Sequence, residues 1–137
     1  MAREYSPLPS DARFVHAGRR GARADGAHVP PIALSTTFAF ENLADAVADL
    51  DAAIGGRRPS HSPIYTRLAN PTVDAFEAAM AEVEGADDAV AFGSGMAALT
   101  ACILAAQTRG RHIVGIRPLY GGTDHSLASS VLGGEVR

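Results

Sequence analysis

Tyr65 and Arg67 stand two positions apart in the sequence. In an extended segment, side chains two residues apart point to the same side. A guanidinium makes paired, charge-assisted hydrogen bonds to a phosphate, and a phenol adds one more donor. The pair therefore predicts a phosphate clamp, although a surface arginine beside a packing tyrosine explains the same two residues.

Residues 93–98 (Gly-Ser-Gly-Met-Ala-Ala) follow a short apolar segment and precede an apolar run. Glycines let the backbone turn sharply, and a helix N-terminus offers free N–H groups to an anion. This pattern predicts a phosphate loop or, more simply, a tight strand-to-helix turn. It also matches the weak dinucleotide fingerprint G-x-G-x-x-A, for which Arg117 near the next strand would favour NADP.

Tyr120 is followed by Gly121 and Gly122 after a second apolar segment. Ligands of open α/β sheets collect at the carboxyl ends of the strands, so this loop and the 93–98 turn are expected to face one crevice. An aromatic ring there can stack on a flat cofactor, or it is an ordinary loop tyrosine.

The composition excludes several classes of protein. The net charge is −3, and no run of basic residues indicates nucleic-acid binding. All 12 basic residues are arginine, and the Arg57-Arg58 doublet is expected in a solvated loop. Cys102, the single cysteine, rules out an internal disulfide and is expected to be buried, and no metal site is predicted. No signal peptide and no apolar run of ~18 residues is present, which predicts a cytoplasmic protein.

The elements that must position these residues follow from periodicity and punctuation. Residues 1–35 lack a periodic pattern and are expected to be irregular. Two helical stripes follow: Leu43, Val47, Leu50 and Ile54, ended by Gly55-Gly56; and Val73, Phe76, Met80 and Val83, begun by Asn70-Pro71 and ended by Gly85.

Residues 89–92 and 112–116 are short apolar segments that predict strands. Between them, residues 96–106 predict a helix that is apolar on nearly all sides and therefore buried. A further helix is expected after Tyr120, through about Leu132, and residues 135–137 approach a third strand. This βαβα order predicts an α/β fold with a parallel sheet that is incomplete in this chain.

Several motifs together resemble the Cys/Met-metabolism enzymes that depend on pyridoxal 5'-phosphate (PLP), such as cystathionine γ-synthase, cystathionine lyase, methionine γ-lyase and O-acetylhomoserine sulfhydrylase. Residues 65–72 (Tyr-Thr-Arg-Leu-Ala-Asn-Pro-Thr) resemble their Y-[ST]-R-x-x-N-P-T signature. The other similar segments are 94–98 (phosphate loop), 119–123 (ring-stacking loop), and 15–18 and 31–38 (N-terminal arm).

The resemblance implies the aspartate-aminotransferase-like fold, with residues 1–60 as an arm and helix that pack on a neighbouring subunit and 61–137 as the first part of the PLP-binding domain. It implies that Ser94, Gly95 and Met96 hold the PLP phosphate and that Tyr120 stacks on its ring. Tyr65 and Arg67 would bind the phosphate in the neighbouring subunit's site, within an oligomer that has shared active sites.

Two departures from the family pattern qualify the implied activity. Gly122 stands where methionine γ-lyases usually carry cysteine, which favours synthase, sulfhydrylase or cystathionine lyase activity over γ-lyase activity. The chain also lacks the Schiff-base lysine, and arginine cannot replace it. We therefore expect a longer complementing chain to supply the lysine and the acid at the pyridine nitrogen; the alternatives are a truncated fragment and a non-catalytic PLP- or partner-binding module.

Overall fold

The computed structural model describes residues 10–19, 26–59, 62–110 and 112–129. All of the helices in these residues are short, and they are connected by segments without regular structure. They are α1 (Ser10–His16), α2 (Leu43–Ile54), α3 (Pro71–Glu84), α4 (Gly95–Ala106) and α5 (Gly121–Ser129).

Asparagine side chains cap the starts of α2 and α3, of which the cap at Asn70 was predicted from the sequence. Asn42 and Asn70 adopt extended backbone angles, and each side chain accepts a hydrogen bond from a first-turn N–H. Gly85 ends α3 in the left-handed conformation, at φ 67°, which glycine adopts without a Cβ clash. Local sequence alone therefore decides where these two helices begin and end.

Helix α1 corrects the expectation that residues 1–35 are irregular throughout. It packs on α3, and Gly18 follows it at φ 72°. A Cβ at Gly18 would collide with the carbonyl oxygen of Ala75 and lie 2.9 Å from Ala79 Cβ. Glycine is therefore needed at this position both for its backbone angle and for the close approach to α3.

An apolar stripe predicts the buried face of a helix, and for α3 this prediction is wrong in the described chain. On α3, Val73, Phe76 and Met80 are 42%, 55% and 37% exposed. The four stripe residues of α2 are also exposed, and the buried hydrophobic residues are instead Ala46, Ala81 and Ile103. Cys102 is exposed rather than buried. No sheet covers the helices in the described residues, so most of their large apolar side chains stay exposed.

No β-strand is present in the described residues, so the predicted parallel sheet is not confirmed. Segments 89–92 and 112–116 have no regular secondary structure, because a strand needs a partner distant in sequence whereas a helix satisfies its hydrogen bonds locally. The predicted third strand and the end of the last helix lie outside the described residues.

The chain divides into two compact units between Ala91 and Phe92. The predicted division after residue 60 stays a prediction. Within the described ranges, no helix is both long and apolar enough to cross a bilayer.

Candidate functional site

Tyr65 and Arg67 lie side by side in the first unit, but in a turn rather than the predicted extended segment. The N–H of Leu68 donates to the Tyr65 carbonyl at 2.8 Å, which closes the turn. The guanidinium carbon of Arg67 lies 5.1 Å from the centre of the Tyr65 ring. A cation–π contact at this distance keeps the phenol and the guanidinium on the same side.

A strained residue precedes this pair. Ile64 has φ 61°, and the N–H of Tyr65 donates to the Pro63 carbonyl at 2.6 Å, so residues 63–65 form a γ-turn. A β-branched residue at positive φ costs about 1–3 kcal/mol and persists only where its surroundings hold it. The contacts around Ile64 are therefore needed to maintain the direction in which Tyr65 leaves the turn.

A segment of the predicted N-terminal arm supplies some of those contacts. The N–H of Phe38 donates to the Ile64 carbonyl at 2.9 Å, and the N–H of Thr66 donates to Thr36 at 2.9 Å. Thr37 and Tyr65 form an antiparallel bridge between these bonds. This part of the arm is thus bound to its own chain, and the expected packing on a neighbouring subunit stays a prediction.

Asn70 connects the arm, the turn and α3. Its side-chain oxygen accepts from the N–H of Thr72 at 2.9 Å, while its Nδ2 donates to Thr66 Oγ1 at 2.7 Å and to the Ala33 carbonyl at 3.2 Å. Thr72 Oγ1 in turn accepts from the N–H of Ala33 at 2.8 Å. The helix cap predicted from sequence is therefore also a tertiary contact that holds the turn carrying Tyr65 and Arg67.

Asp49 and Ser62 were not predicted as site residues. Asp49 is 2% exposed and Ser62 is 7% exposed, and the N–H of Ser62 donates to Asp49 Oδ2 at 2.7 Å. The sequence pattern of α2 marks its large apolar residues as one face of the helix. An aspartate on the other face gives no signal of burial.

Arg58 is more than the predicted solvated residue, since its guanidinium contacts carboxylates on α3 and beyond. It lies 2.9 Å from both Glu77 Oε2 and Asp88 Oδ1, and 3.5 Å from Asp74 Oδ1. Glu77 Oε1 also accepts from the N–H of Ala91 at 2.7 Å. Through these contacts, the residues around Asp88 and Ala91 are held against α3.

The pKa values of two carboxyls in this cluster shift in opposite directions. The backbone N–H of Ala89 and the Arg58 guanidinium lower the pKa of Asp88 below its ordinary 3.8. Burial raises the pKa of Asp74 above 3.8, although Arg58 partly opposes that effect. The two groups should therefore contribute to acid stability with opposite signs.

In the second unit, the 93–98 turn presents a helix N-terminus. Ser94 caps α4: its Oγ and carbonyl accept from the N–H groups of Ala97 and Ala98, both at 3.1 Å. The first turn of α4 carries no acidic residue. The N–H groups of Gly95 and Met96 have no acceptor within the helix by its geometry, so the dipole at this end favours an anion.

The glycines of this turn leave open space beside the backbone. A Cβ at Gly93 or Gly95 would meet no atom within 4 Å, so the packing of the described chain does not explain the glycines. A phosphate that approaches the backbone N–H groups at this position would use that space. The Ser94 hydroxyl and the N–H groups of Gly95 and Met96 can donate hydrogen bonds, and the space beside the glycines can hold a phosphate such as that of PLP.

Tyr120 lies close to this turn. The Tyr120 carbonyl accepts from the N–H groups of Thr123 and Asp124, so α5 starts directly after this residue. Tyr120 is 74% exposed. Thr123 Oγ1 lies 3.8 Å from Met96 Sδ. A Cβ at Gly122 would lie 2.8 Å from Tyr120 Cε1 and 3.3 Å from Met96 Sδ. An accessible aromatic face therefore lies beside the helix N-terminus, an arrangement that fits a flat ring carrying a phosphate.

Arg117, on which the NADP alternative depended, forms an ion pair with Asp124 at 2.9 Å. The structure thus forms two groups of predicted site residues: Tyr65 with Arg67 in the first unit, and residues 94–96 with Tyr120 in the second.

The family profile described as "Cys/Met metabolism PLP-dependent enzyme" matches residues 11–136.

Individual relatives support the same comparison. The chain is 50% identical over 129 residues to an L-methionine gamma-lyase of Streptomyces avermitilis, covering 92% of this chain and 31% of the relative. It is 40% identical over 114 residues to an O-acetyl-L-homoserine sulfhydrylase of Corynebacterium glutamicum, covering 83% and 25%. A cystathionine gamma-synthase of Mycobacterium bovis is 43% identical over 112 residues, covering 81% and 25%. The chain therefore spans a third or less of the length of these relatives.

Proposed function

This chain belongs to the Cys/Met metabolism PLP-dependent enzyme family, and from that membership we propose that it supplies the phosphate- and ring-binding residues of an enzyme of sulfur amino-acid metabolism. The cofactor of the family is PLP. The observation that carries the proposal is the open, uncharged N-terminus of α4 beside the exposed ring of Tyr120, within the region that the family profile matches.

In this proposal, the N–H groups of Gly95 and Met96 donate to the phosphate of PLP. The Ser94 hydroxyl, which already accepts from the N–H of Ala97, has its proton free to donate to the same phosphate. The dipole of α4 favours the phosphate charge because the first turn of the helix has no acidic side chain. Tyr120 stacks its accessible face on the pyridine ring and orients it.

Tyr65 and Arg67 form a second phosphate clamp, which we assign to the active site of a neighbouring subunit. The guanidinium and the phenol already share one side of the turn, at 5.1 Å, so little side-chain freedom is lost when they bind. This assignment makes the enzyme an oligomer with shared active sites, in which residues 1–60 contact the neighbour and 61–137 begin the PLP-binding domain.

The reaction we propose is C–S bond elimination or γ-replacement on a sulfur amino acid or an activated homoserine. PLP, when bound, supplies an electron sink for breaking bonds next to the amino acid's α-carbon. Three relatives with 42–50% identity over 123–133 residues are named methionine gamma-lyases, which supports elimination despite Gly122. The names of the sulfhydrylase and synthase relatives support replacement.

These 137 residues contain no lysine, so the chain cannot hold PLP covalently through a lysine side chain. We propose that a longer complementing chain supplies the lysine and the acid at the pyridine nitrogen, in a cytoplasmic complex. The presence of phosphate-binding groups without a lysine also supports two alternatives. These are a binding module that holds PLP or a partner without catalysis, and a fragment of a longer enzyme with no activity of its own.

The test is to purify the protein under mild conditions from its native source, reduce it with borohydride, and map pyridoxyl-lysine by peptide mass spectrometry. Reduction fixes PLP covalently to whichever lysine carries it. A modified lysine on a separate co-purifying polypeptide would support the split enzyme. A modified lysine in a polypeptide that also contains this sequence would show that the sequence is part of a longer enzyme.

A control distinguishes binding from catalysis. If no lysine is modified, the purified chain is titrated with PLP, and its absorption is compared with that of an Arg67→Met, Ser94→Ala double variant. Saturable binding that the double variant loses would support the binding module. If neither protein binds PLP, the proposed cofactor function is wrong for this chain.

A further inference from the structure

The carboxylate of Asp49 is buried although it lies on a helix whose large apolar residues face outwards. Asp49 is 2% exposed, whereas Leu43 and Ile54 of the same helix are 71% and 76% exposed. Burial of a carboxylate is costly unless hydrogen bonds replace its hydration. The arrangement is the reverse of what apolar burial alone would produce in α2, so the position of Asp49 requires a reason other than packing.

Asp49 Oδ2 accepts the backbone N–H of Ser62 at 2.7 Å. Ser62 is also buried, and its hydroxyl joins two further segments. It donates to the Ala39 carbonyl at 3.1 Å and accepts the N–H of Ile64 at 3.3 Å. One buried carboxylate and one buried hydroxyl therefore connect α2, the arm segment at Ala39 and the strained residue Ile64.

These contacts enclose the γ-turn that directs Tyr65. On one side, the N–H of Ile64 donates to Ser62 Oγ. On the other side, the N–H of Phe38 donates to the Ile64 carbonyl at 2.9 Å. A residue at positive φ returns to ordinary angles when its surroundings release it, and Tyr65 would then leave the turn in another direction.

We propose that Asp49 and Ser62 are positioning residues, which act through Ile64 to keep the Tyr65 phenol and the Arg67 guanidinium aligned as one phosphate clamp. The inference rests on the proposed function, because the clamp is assigned to PLP phosphate there. A carboxyl group suits this role better than an apolar side chain, since a hydrogen bond fixes the direction of the Ser62 peptide while apolar packing does not.

The first test separates positioning from stability with Asp49→Leu, which keeps a buried side chain of similar size but removes the acceptor. Asp51→Leu is the matched control, because Asp51 is an exposed residue of the same helix. The readouts on the full chain are the unfolding midpoint and the upfield NMR shift that the Tyr65 ring imposes on the Arg67 side-chain protons. Asp49→Leu leaves the buried N–H of Ser62 without its acceptor, so the unfolding midpoint should fall.

We expect Asp49→Leu to unfold at a lower midpoint than the parent, to remain folded under the assay conditions, and to lose the ring-current shift of Arg67. Asp51→Leu should retain both the midpoint and the shift. In a titration with inorganic phosphate, followed at the Arg67 Nε–H signal, the apparent Kd of Asp49→Leu should rise about tenfold. An unchanged ring-current shift in a folded Asp49→Leu protein would overturn the inference. A parent protein whose Arg67 signal ignores phosphate would instead contradict the proposed clamp, and the ring-current result would still decide the role of Asp49.

A second pair of variants decides the matter if Asp49→Leu does not fold. Ser62→Ala removes the hydroxyl that joins Ala39 and Ile64 but keeps the N–H bonded to Asp49, while Ser62→Thr restores a hydroxyl. Loss of the ring-current shift in Ser62→Ala and its recovery in Ser62→Thr would support the inference. The same shift in Ser62→Ala as in the parent would refute it.

Discussion

Replacing Asn70 with alanine should destabilise the protein more than the same replacement at Asn42, although both residues cap a helix. Asn42 Oδ1 accepts from the N–H of Asp45 at 2.9 Å, and its Nδ2 donates to Asp45 Oδ2. Both contacts are exposed and local to the start of the helix. Asn70 makes the equivalent bond to Thr72 at 2.9 Å and also donates through Nδ2 to Thr66 and to the Ala33 carbonyl. The pair therefore separates the value of a cap from the value of the tertiary contacts.

The magnitudes follow from the bonds that are lost. Loss of a side-chain N-cap costs about 1 kcal/mol, and in Asn42→Ala the lost exposed bond to Asp45 Oδ2 adds about 0.2–0.5 kcal/mol. Each further hydrogen bond contributes about 0.5–1.5 kcal/mol, and Asn70→Ala removes two of them, at 2.7 and 3.2 Å. The free energy of unfolding should therefore fall by about 2–4 kcal/mol in Asn70→Ala.

The assay is urea unfolding followed by far-UV circular dichroism, with the parent and both variants measured under one set of conditions. Comparison of midpoints at a common slope gives the differences in unfolding free energy. The ring-current shift of Arg67 should change in Asn70→Ala and stay constant in Asn42→Ala. Equal losses of stability in the two variants would refute the reasoning, because the contacts of Asn70 to the arm and the turn would then contribute nothing.

Two further predictions concern acid stability and the aromatic ring near α4. The pKa of Asp88 is lowered in the folded protein, so Asp88 stabilises the fold above pH 3.8 and this stabilisation is lost on acidification. The pKa of Asp74 is raised, so its stabilisation is present below pH 3.8 and is lost as the pH rises. In urea melts between pH ~6 and ~3, Asp88→Asn should therefore lose less stability than the parent and Asp74→Asn more; identical pH profiles would contradict this. Gly122→Ala should displace the Tyr120 ring, since its Cβ would lie 2.8 Å from Tyr120 Cε1. Gly110→Ala, whose Cβ would meet no atom within 4 Å, should leave the Tyr120 NMR signals unchanged. Unmoved ring signals in both variants would show that the ring does not rest against Gly122.

Local features of the structure were predictable because their causes lie within a few residues. The asparagine caps, the proline at the first position of α3 and the terminating glycine Gly85 define the ends of α2 and α3 through contacts inside each helix. The family was also predictable, because its motifs are short and stand in a fixed order. The membership then follows from the match over residues 11–136.

Burial could not be predicted in the same way. The apolar stripes correctly located the helices, but Val73, Phe76 and Met80 remain exposed while Asp49 is buried. A periodic pattern shows which face of a helix is apolar and not whether another element covers it. The predicted strands are not confirmed in the described residues for a related reason, because pairing depends on partners distant in the sequence.

The sequence by itself determined the helix ends, the family and the residue types that can bind a phosphate, since each depends on local chemistry. Only the tertiary structure decided that Tyr65 and Arg67 share a turn held by the arm, that Asn70 links three segments, and that Met96 lies beside Tyr120. These arrangements join residues between 4 and 37 positions apart, and the balance of burial, strain and hydrogen bonding that selects them exists only once the chain has folded.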